Sequence, residues 1–379
     1  MIAGGLACML GSGLSQTCVA HFLGRRKEVP LTEWELTSSR LEVGDDLEAI
    51  ETYYQRGWTD GLPVVPPTEG RVRQFLECCG YRPDQVVGVV PQRRRILTAE
   101  KVAINAVMAG CLPAYAPVVM TAVEALTTDQ FNLHASTAST GGAAPLIIVS
   151  GQIARDLGIN SGVDVFGAGY RANATIGRTI RLVLMNLCGA KPGMLDKATL
   201  GHPGKYSYCI AENEEASPWE PLRVSKGFPE EVSTVTVVAS EAPHYVTNHG
   251  SYTPQALLDN LADAMSSLGS FANADWVVVV CPEHAAVLAR HRWSRSDVQS
   301  YLVENCRRSV ADLKRVDRRP GPVQPGDEHE MVLMLSDPED ITLVVAGGGA
   351  GGFSAVIPPW AGGKSSRMVT RAIGVCVDC

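Results

Sequence analysis

A segment in the middle of the chain, Ala198–Trp219, concentrates side chains that can move protons. It contains Lys205, Tyr206, Cys209 and Glu212, together with further carboxylates. Neighbouring carboxylates raise one another's pKa, and a raised carboxyl pKa suits general acid–base catalysis. An exposed acidic loop is the alternative, but the flanking aromatic residues indicate that the segment packs against the protein. We predict catalytic roles for Lys205, Cys209 and Glu212.

A second candidate thiol, Cys111, lies where an apolar helix ends and Pro113 breaks the chain. The C-terminus of a helix raises the pKa of a thiol, whereas the N-terminus of the next helix lowers it. The position of Cys111 within this turn therefore decides its reactivity. Buried cysteines are more often inert small apolar residues, which is the alternative interpretation. We predict Cys111 as a candidate nucleophile beside Cys209.

Arginine and amide side chains mark the start of a long, otherwise apolar helix. Arg171 and Arg178 lie about two turns apart on one face of it, and Asn173 lies between them in the sequence. A buried guanidinium needs a partner, which is either a carboxylate of the protein or a substrate carboxylate held bidentately. We predict that these three residues bind substrate, together with Asp60 from the Pro- and Gly-rich loop Trp58–Thr68.

A glycine-rich stretch, "GGGAGG" at Gly347–Gly352, follows the apolar strand "ITLVVA". Glycines allow backbone N–H groups to approach an anion closely. No Gly-Lys-Ser/Thr follows, so the stretch is not a Walker A loop. No suitably placed acidic residue follows either, as a dinucleotide site requires. We predict that Gly348, Gly349 and Gly351 bind a small anion, with a tight structural turn as the alternative.

The last four residues, "CVDC", place Cys376 and Cys379 at the spacing of a redox dithiol or of two metal ligands. One such pair cannot complete a four-cysteine zinc site by itself. We predict a redox role for both cysteines, with a tail that has no role as the alternative.

Four segments carry a resemblance to a known family: "YYQRGWTDGLPVVPPT", "KVAINAVMAGCLPAYAPVV", "RANATIGRTIRLVLMNLCGAKPG" and "GKYSYCIAENEEASPWEPL". Together they resemble an uncharacterised bacterial family associated with a UGSC motif, in which U is selenocysteine or cysteine. The resemblance covers about Tyr53 to Leu222. This chain has Val-Asp between its terminal cysteines, which departs from the motif. The resemblance implies a soluble bacterial protein with thiol or sulfur chemistry and a possible thiol or selenol redox partner.

Alternating strands and helices predict an α/β fold of two lobes, with mostly parallel sheets and an interlobe cleft. Unbroken apolar runs such as Pro145–Gly151 predict buried strands. We expect residues 1–44 to form a peripheral extension. Residues 45–228 form the first predicted lobe, and residues 229–379 form the second, with the cysteine pair in its tail.

Composition restricts the classes of protein and of partner. The chain has 379 residues, of which 45% are hydrophobic, and a net charge of −7. The sequence lacks a long basic segment, which argues against nucleic acid as a partner. No apolar run reaches about 18 residues, which argues against a membrane span. The eleven scattered cysteines are typical of reduced thiols in the cytoplasm.

These observations predict an enzyme that acts on a small anionic, carboxylate-bearing substrate in the cleft. Its chemistry is a thiol-dependent lyase or transferase reaction, or another sulfur reaction. One alternative is a protein that binds Zn, Cu or an iron–sulfur cluster through Cys111, Cys188, Cys209 and the terminal pair. The other is a non-catalytic redox partner that uses the terminal dithiol. The cofactor, the bound metal and a homo-oligomeric state are left open.

Overall fold

The computed structural model describes residues 35–268, 274–360 and 366–374. Residues 1–34 of the predicted extension, and the predicted redox pair Cys376 and Cys379, lie outside the described residues. The described end of the extension docks onto the protein. The backbone N–H groups of Thr37 and Ser38 donate to the Glu100 carboxylate at 3.0 and 2.8 Å. Burial raises the pKa of Glu100, but these hydrogen bonds outweigh it and hold the pKa low.

The helices and strands follow in chain order. The helices are α1 Asp46–Gln55, α2 Glu69–Cys79, α3 Ala99–Ala109, α4 Ala116–Leu126, α5 Leu133–Ala138, α6 Gln152–Asp156, α7 Arg171–Asn186, α8 Leu222–Ser225, α9 Pro254–Ser267, α10 Pro282–Arg290, α11 Arg295–Asn305 and α12 Val310–Arg315. The strands are β1 Val86–Val90, β2 Arg95–Thr98, β3 Ala144–Ser150, β4 Cys209–Ala211, β5 Thr234–Ser240, β6 His244–Thr247, β7 Trp276–Val280, β8 Arg307–Ser309, β9 Met331–Leu333, β10 Ile341–Val345, β11 Phe353–Ile357 and β12 Val369–Ala372.

Two four-stranded sheets form the centre of the molecule. The first has the strand order β12-β5-β3-β4, and the second has the order β10-β7-β11-β6. In the first sheet β3 pairs parallel with β4 and antiparallel with β5, which also pairs antiparallel with β12. In the second sheet β7 pairs parallel with β10 and antiparallel with β11, which also pairs antiparallel with β6. Each sheet therefore has one parallel pair.

The two sheets pack face to face, and helices cover their outer faces. Successive side chains of a strand point to opposite faces. Leu146 and Ile148 of β3 accordingly join Val277 and Val279 of β7 in an apolar core between the sheets. Ile147 packs instead with helices α3, α4 and α7. On the far side, β7 and β10 pack against α9, α10 and α11. The result is a four-layer arrangement of helices, sheet, sheet and helices.

The mixed α/β class is confirmed, but the prediction of mostly parallel sheets is wrong. An unbroken apolar strand indicates burial of both faces, and parallel sheets are the usual case of this. Here a second sheet covers one face of each strand, so antiparallel strands such as β5 show the same pattern and are fully buried. For the same reason, the space between the sheets is a packed apolar core instead of the predicted cleft.

The predicted boundary between residues 228 and 229 does not separate the two sheets. Strands β5 and β12 lie on its C-terminal side, yet both belong to the first sheet, which also contains β3 and β4. The chain thus leaves the first sheet after β5, builds the second sheet, and returns with β12.

Leu146 tests the packing between the sheets, because its side chain is fully buried there. We expect Leu146→Ala to lower the free energy of unfolding by about 2–5 kcal/mol, from lost burial and the cavity left behind. Urea denaturation measures the loss. Leu200→Ala is the matched control, since Leu200 is 95% exposed. Equal, small losses in both variants would contradict the face-to-face packing.

Candidate functional site

The predicted substrate-binding pair Arg178 and Asp60 form an ion pair with each other. The Arg178 Nε and Nη2 atoms donate to the two carboxylate oxygens of Asp60 at 2.7 and 2.8 Å. Nη2 also donates to the carbonyls of Leu62 and Pro63. Of the two alternatives for Arg178, the structure thus shows the internal carboxylate, and this contact anchors the loop before α2 to helix α7.

The other two predicted binding residues of α7 hold the backbone in place. The Arg171 guanidinium donates to the carbonyl of Gly110 at 2.9 Å. Asn173 is buried, and its amide bonds with the backbone N–H and carbonyl of Asn160 and with the carbonyl of Cys209. Asn173 therefore fixes the chain at Asn160, which leads into the edge of the sheets described below.

The proton-transfer candidates Lys205 and Glu212 are also engaged internally. Lys205 Nζ donates to Asp196 at 2.6 Å, while burial lowers the pKa of this lysine. Glu212 is buried and accepts from the Ser150 hydroxyl at 2.7 Å and from the Leu222 N–H at 2.9 Å. Burial raises the pKa of Glu212. These contacts do not bring Lys205 and Glu212 together.

The thiols of Cys111 and Cys209 are poorly suited to nucleophilic attack at neutral pH. Both are buried. Burial raises the pKa of Cys111 to about 11, and it raises the pKa of Cys209 as well. The Cys111 Sγ lies 3.2 Å from the Thr179 hydroxyl, its polar neighbour in the core. A thiol with so high a pKa carries almost no thiolate near pH 7, so the structure does not support either residue as the nucleophile.

A metal site of the predicted kind is also not seen in the part of the chain that the structure describes. Within those residues no group of three or more His, Cys, Asp or Glu side chains is placed to hold a metal ion. Burial raises the pKa of Cys188 to about 11. The terminal pair lies outside the described residues and stays a prediction.

The predicted glycine loop Gly347–Gly352 follows β10 at the carboxyl end of the parallel pair β7–β10. Ligands bind preferentially at this end of parallel strands. The Gly347 N–H donates to the Ser161 carbonyl at 2.9 Å. The Gly351 N–H donates to a Glu283 carboxylate oxygen at 2.9 Å. Among the described residues, the N–H groups of Gly348 and Gly349 have no acceptor, so they can bind an anion.

Glycine is required at the end of this loop. A Cβ atom at Gly352 would lie 2.1 Å from the Asn248 carbonyl oxygen, which no side chain tolerates. The Gly352 N–H donates to His249 Nδ1 at 3.2 Å. The loop therefore lies directly against the segment that follows β6.

Sequence reasoning missed the residue beside this loop, Cys281. It follows β7 directly and is the N-cap of helix α10, which has Pro282 at its first position. His284 lies one turn along that helix, and both side chains are buried. The His284 Nε2 atom lies 2.8 Å from the Asn248 carbonyl, and its Nδ1 atom lies 2.7 Å from the Ser354 hydroxyl.

Cys281, His284, Ser354 and Asn248 form a cluster, and these contacts determine which of its atoms carry a proton. A carbonyl only accepts, so His284 Nε2 carries a proton. In the neutral imidazole, Nδ1 then accepts from the Ser354 hydroxyl. The Ser354 oxygen in turn accepts from the Cys281 backbone N–H at 3.1 Å. The imidazole is thus held in one orientation beside the Cys281 thiol.

Cys281 differs in its acidity from five other cysteines that the structure describes. Burial acts to raise its pKa, but the His284 side chain and backbone N–H outweigh burial, so the pKa of Cys281 is lowered. Burial likewise acts to lower the pKa of His284, yet Cys281 and the Asn248 carbonyl raise it. By contrast, the pKa is raised at Cys78, Cys111, Cys188, Cys209 and Cys306. His284 therefore shifts Cys281 toward its thiolate form, and Cys281 shifts His284 toward its imidazolium form.

Comparison with known proteins adds no assignment: no protein-family model, no curated protein and no solved structure matches the chain. The resemblance to the UGSC-associated family therefore stays a prediction. In the residues that the structure describes, no helix is both long and apolar enough to cross a membrane.

The acidity of Cys281 can be measured from its rate of alkylation by iodoacetamide as a function of pH. Only the thiolate reacts, so the rate rises through the thiol pKa. We expect the midpoint at Cys281 to lie below that of an ordinary cysteine, about 8.5. We expect His284→Asn to move it upward, because the imidazolium no longer stabilises the thiolate. Mass spectrometry of the Cys281 peptide follows the reaction.

His291→Asn is the control, since His291 lies at the exposed end of the same helix. Midpoints are compared instead of absolute rates, because burial slows the reaction in every variant. An unchanged midpoint in His284→Asn would show that this histidine does not ionise the thiol.

Proposed function

We propose that the protein is an enzyme that uses the Cys281 thiolate as a nucleophile on a small anionic substrate. The observation that carries this proposal is the cluster at the end of β7 and β10, where an acidified thiol, an oriented imidazole and a glycine loop meet. An activated cysteine beside a base is the usual arrangement for covalent catalysis. The proposal keeps the predicted reaction class, a thiol-dependent transferase or lyase, and moves the nucleophile away from Cys111 and Cys209.

The first chemical step follows from the protonation of the cluster. The thiol proton passes to His284, which gives a thiolate and an imidazolium. The thiolate attacks an electrophilic carbon of the substrate, so a sulfur–carbon bond forms and the bond to the leaving group breaks. The imidazolium returns its proton to the leaving group. A second nucleophile, an alcohol, amine or thiol, then passes its proton to His284 and takes the group from sulfur, which restores the thiolate and the imidazolium.

The glycine loop supplies the binding site for the substrate anion. The N–H groups of Gly348 and Gly349 have no acceptor among the described residues. The loop also adjoins the N-terminus of α10, where the helix dipole favours negative charge. Substrate anion and thiolate are therefore bound by the same end of the sheet, and Glu283 and Ser161 hold the loop in place.

The charge of an alkylating reagent tests the anion site and the nucleophile together. Iodoacetate is an anion and iodoacetamide is neutral, while both alkylate a thiolate by the same displacement. We expect the ratio of the iodoacetate rate to the iodoacetamide rate at Cys281 to exceed the ratio for glutathione by about tenfold, corresponding to one charge-assisted hydrogen bond. Both rates are measured by peptide mass spectrometry.

Variants assign the reaction to one thiol. Cys281→Ser should abolish the fast iodoacetate reaction, whereas Cys111→Ser and Cys209→Ser should retain it. Cys306→Ser is a further control, because burial raises the pKa of that thiol to about 12. A ratio at Cys281 equal to that of glutathione would refute the anion site. Loss of the reaction in Cys111→Ser or Cys209→Ser would identify that thiol as the nucleophile instead of Cys281.

A further inference from the structure

A second concave site lies away from the Cys281 cluster. It is a pocket of about 650 Å³ between the segment around α8 and the start of α11, and β10 and the turn before it also contribute. This volume suits a small organic molecule. Its main walls are Trp219, Leu222, Lys226, Trp293, Arg295 and Ile341. None of the residues of the Cys281 cluster lines it.

The ionisable groups that line this pocket differ in their exposure. Lys226 and Arg295 are half-buried, whereas Glu220, Glu339 and Arg292 are exposed at the rim. Charge that is withdrawn from water interacts more strongly than charge that water screens. Among the residues that line the pocket, the charges withdrawn from water are therefore both positive. Behind this lining, the buried carboxylates of Asp275 and Glu212 attract Lys226 and Arg295, respectively.

Lys226 has no ionic partner at hydrogen-bonding distance. Within the described part of the chain, its ammonium makes no hydrogen bond and no ion pair, and burial lowers its pKa. Two other half-buried lysines are paired: Lys205 with Asp196 at 2.6 Å, and Lys314 with Asp327 at 2.7 Å. An ammonium partly removed from water without a partner costs free energy. An anion bound in the pocket would recover that cost.

Arg295 fixes the shape and charge of the pocket. Its Nη1 atom donates to the Leu343 carbonyl at 2.6 Å, and its Nη2 atom donates to the Glu220 carbonyl at 2.8 Å. The guanidinium lies over the Trp219 ring, 5.5 Å from its centroid. The Trp219 Nε1 atom donates to the Trp293 carbonyl at 2.9 Å, which ties the two indole-bearing segments together. The charged and aromatic walls are thus held in place before any ligand binds.

We propose that this pocket binds a small aromatic anion, a ring that carries a carboxylate or a phosphate, with Lys226 pairing the anionic group. The indoles of Trp219 and Trp293, together with Leu222 and Ile341, surround the ring. The site is separate from the proposed nucleophile, so it is a second binding site of the protein. It does not depend on the proposed function.

Benzoate and phenyl phosphate are the probes, and isothermal titration calorimetry measures their binding to the full chain. Benzyl alcohol is the neutral analogue, and inorganic phosphate is the anion without a ring. We expect saturable binding of at least one aromatic anion that exceeds binding of both comparison compounds. Lys226→Met should weaken it by about 10- to 100-fold, the effect of one charge-assisted hydrogen bond. Lys226→Arg should restore most of the affinity, because it keeps the charge.

Lys101→Met is the matched control, since Lys101 is an exposed lysine on α3. Thermal unfolding confirms that each variant is folded, and Cys281→Ser should bind the probes as the wild type does. Lack of saturable binding, equal binding of benzyl alcohol, or an unchanged affinity in Lys226→Met would each overturn the proposal. Loss of binding in Cys281→Ser would show that the probes bind at the other site.

Discussion

The apolar contact between the two sheets is the constraint on which the rest of the structure depends. Each sheet has one face against helices and the other against its partner sheet, so strands β3, β5, β7 and β10 are buried on both faces. This packing places the carboxyl ends of both parallel pairs at one edge of the molecule. There the Asn213 N–H after β4 donates to the Val345 carbonyl at the end of β10, at 2.8 Å. The Cys281 cluster lies at this shared edge.

Helix α7 contributes to that edge by holding the backbone in place through Asn173. Asn173 bonds to Asn160 from inside the protein, and the adjacent Ser161 carbonyl accepts from the Gly347 N–H. The buried Asn173 side chain, on a helix that covers the first sheet, thereby positions the glycine loop of the second sheet. Its removal would leave the Asn160 backbone groups without their partner, which is costly in a buried setting. Asn173 is thus a positioning residue for the glycine loop.

The sequence was sufficient to locate buried strands such as β3 and β10, but not to orient them. The predicted strand Pro145–Gly151 is observed as Ala144–Ser150, one residue earlier. Strand direction depends on which partner each strand meets, and an apolar run is the same for either direction when both faces are buried. The glycine loop was predicted correctly as a feature of a strand end. Cys281 was missed, although the sequence contains a local signal for it. Cys281 precedes Pro282, which is typical of the first position of a helix, and a histidine follows one turn later. This pattern predicts a cysteine at a helix N-cap beside an imidazole.

The density of titratable residues in the sequence pointed to Lys205, and the same density explains why that lysine has an internal partner. Lys205 lies among carboxylates and aromatic residues, and that same surplus of partners provides Asp196 to neutralise it within the protein. Arg178 is matched by Asp60 in the same way. Folding pairs buried charges wherever the chain supplies an opposite charge, because an unpaired one is expensive. Two kinds of group are therefore better indicators of a functional site. One is a charged group that is partly buried without a partner at hydrogen-bonding distance. The other is a buried group whose pKa is shifted opposite to the effect of burial. Lys226 meets the first condition and Cys281 the second, and neither condition is visible before the chain is folded.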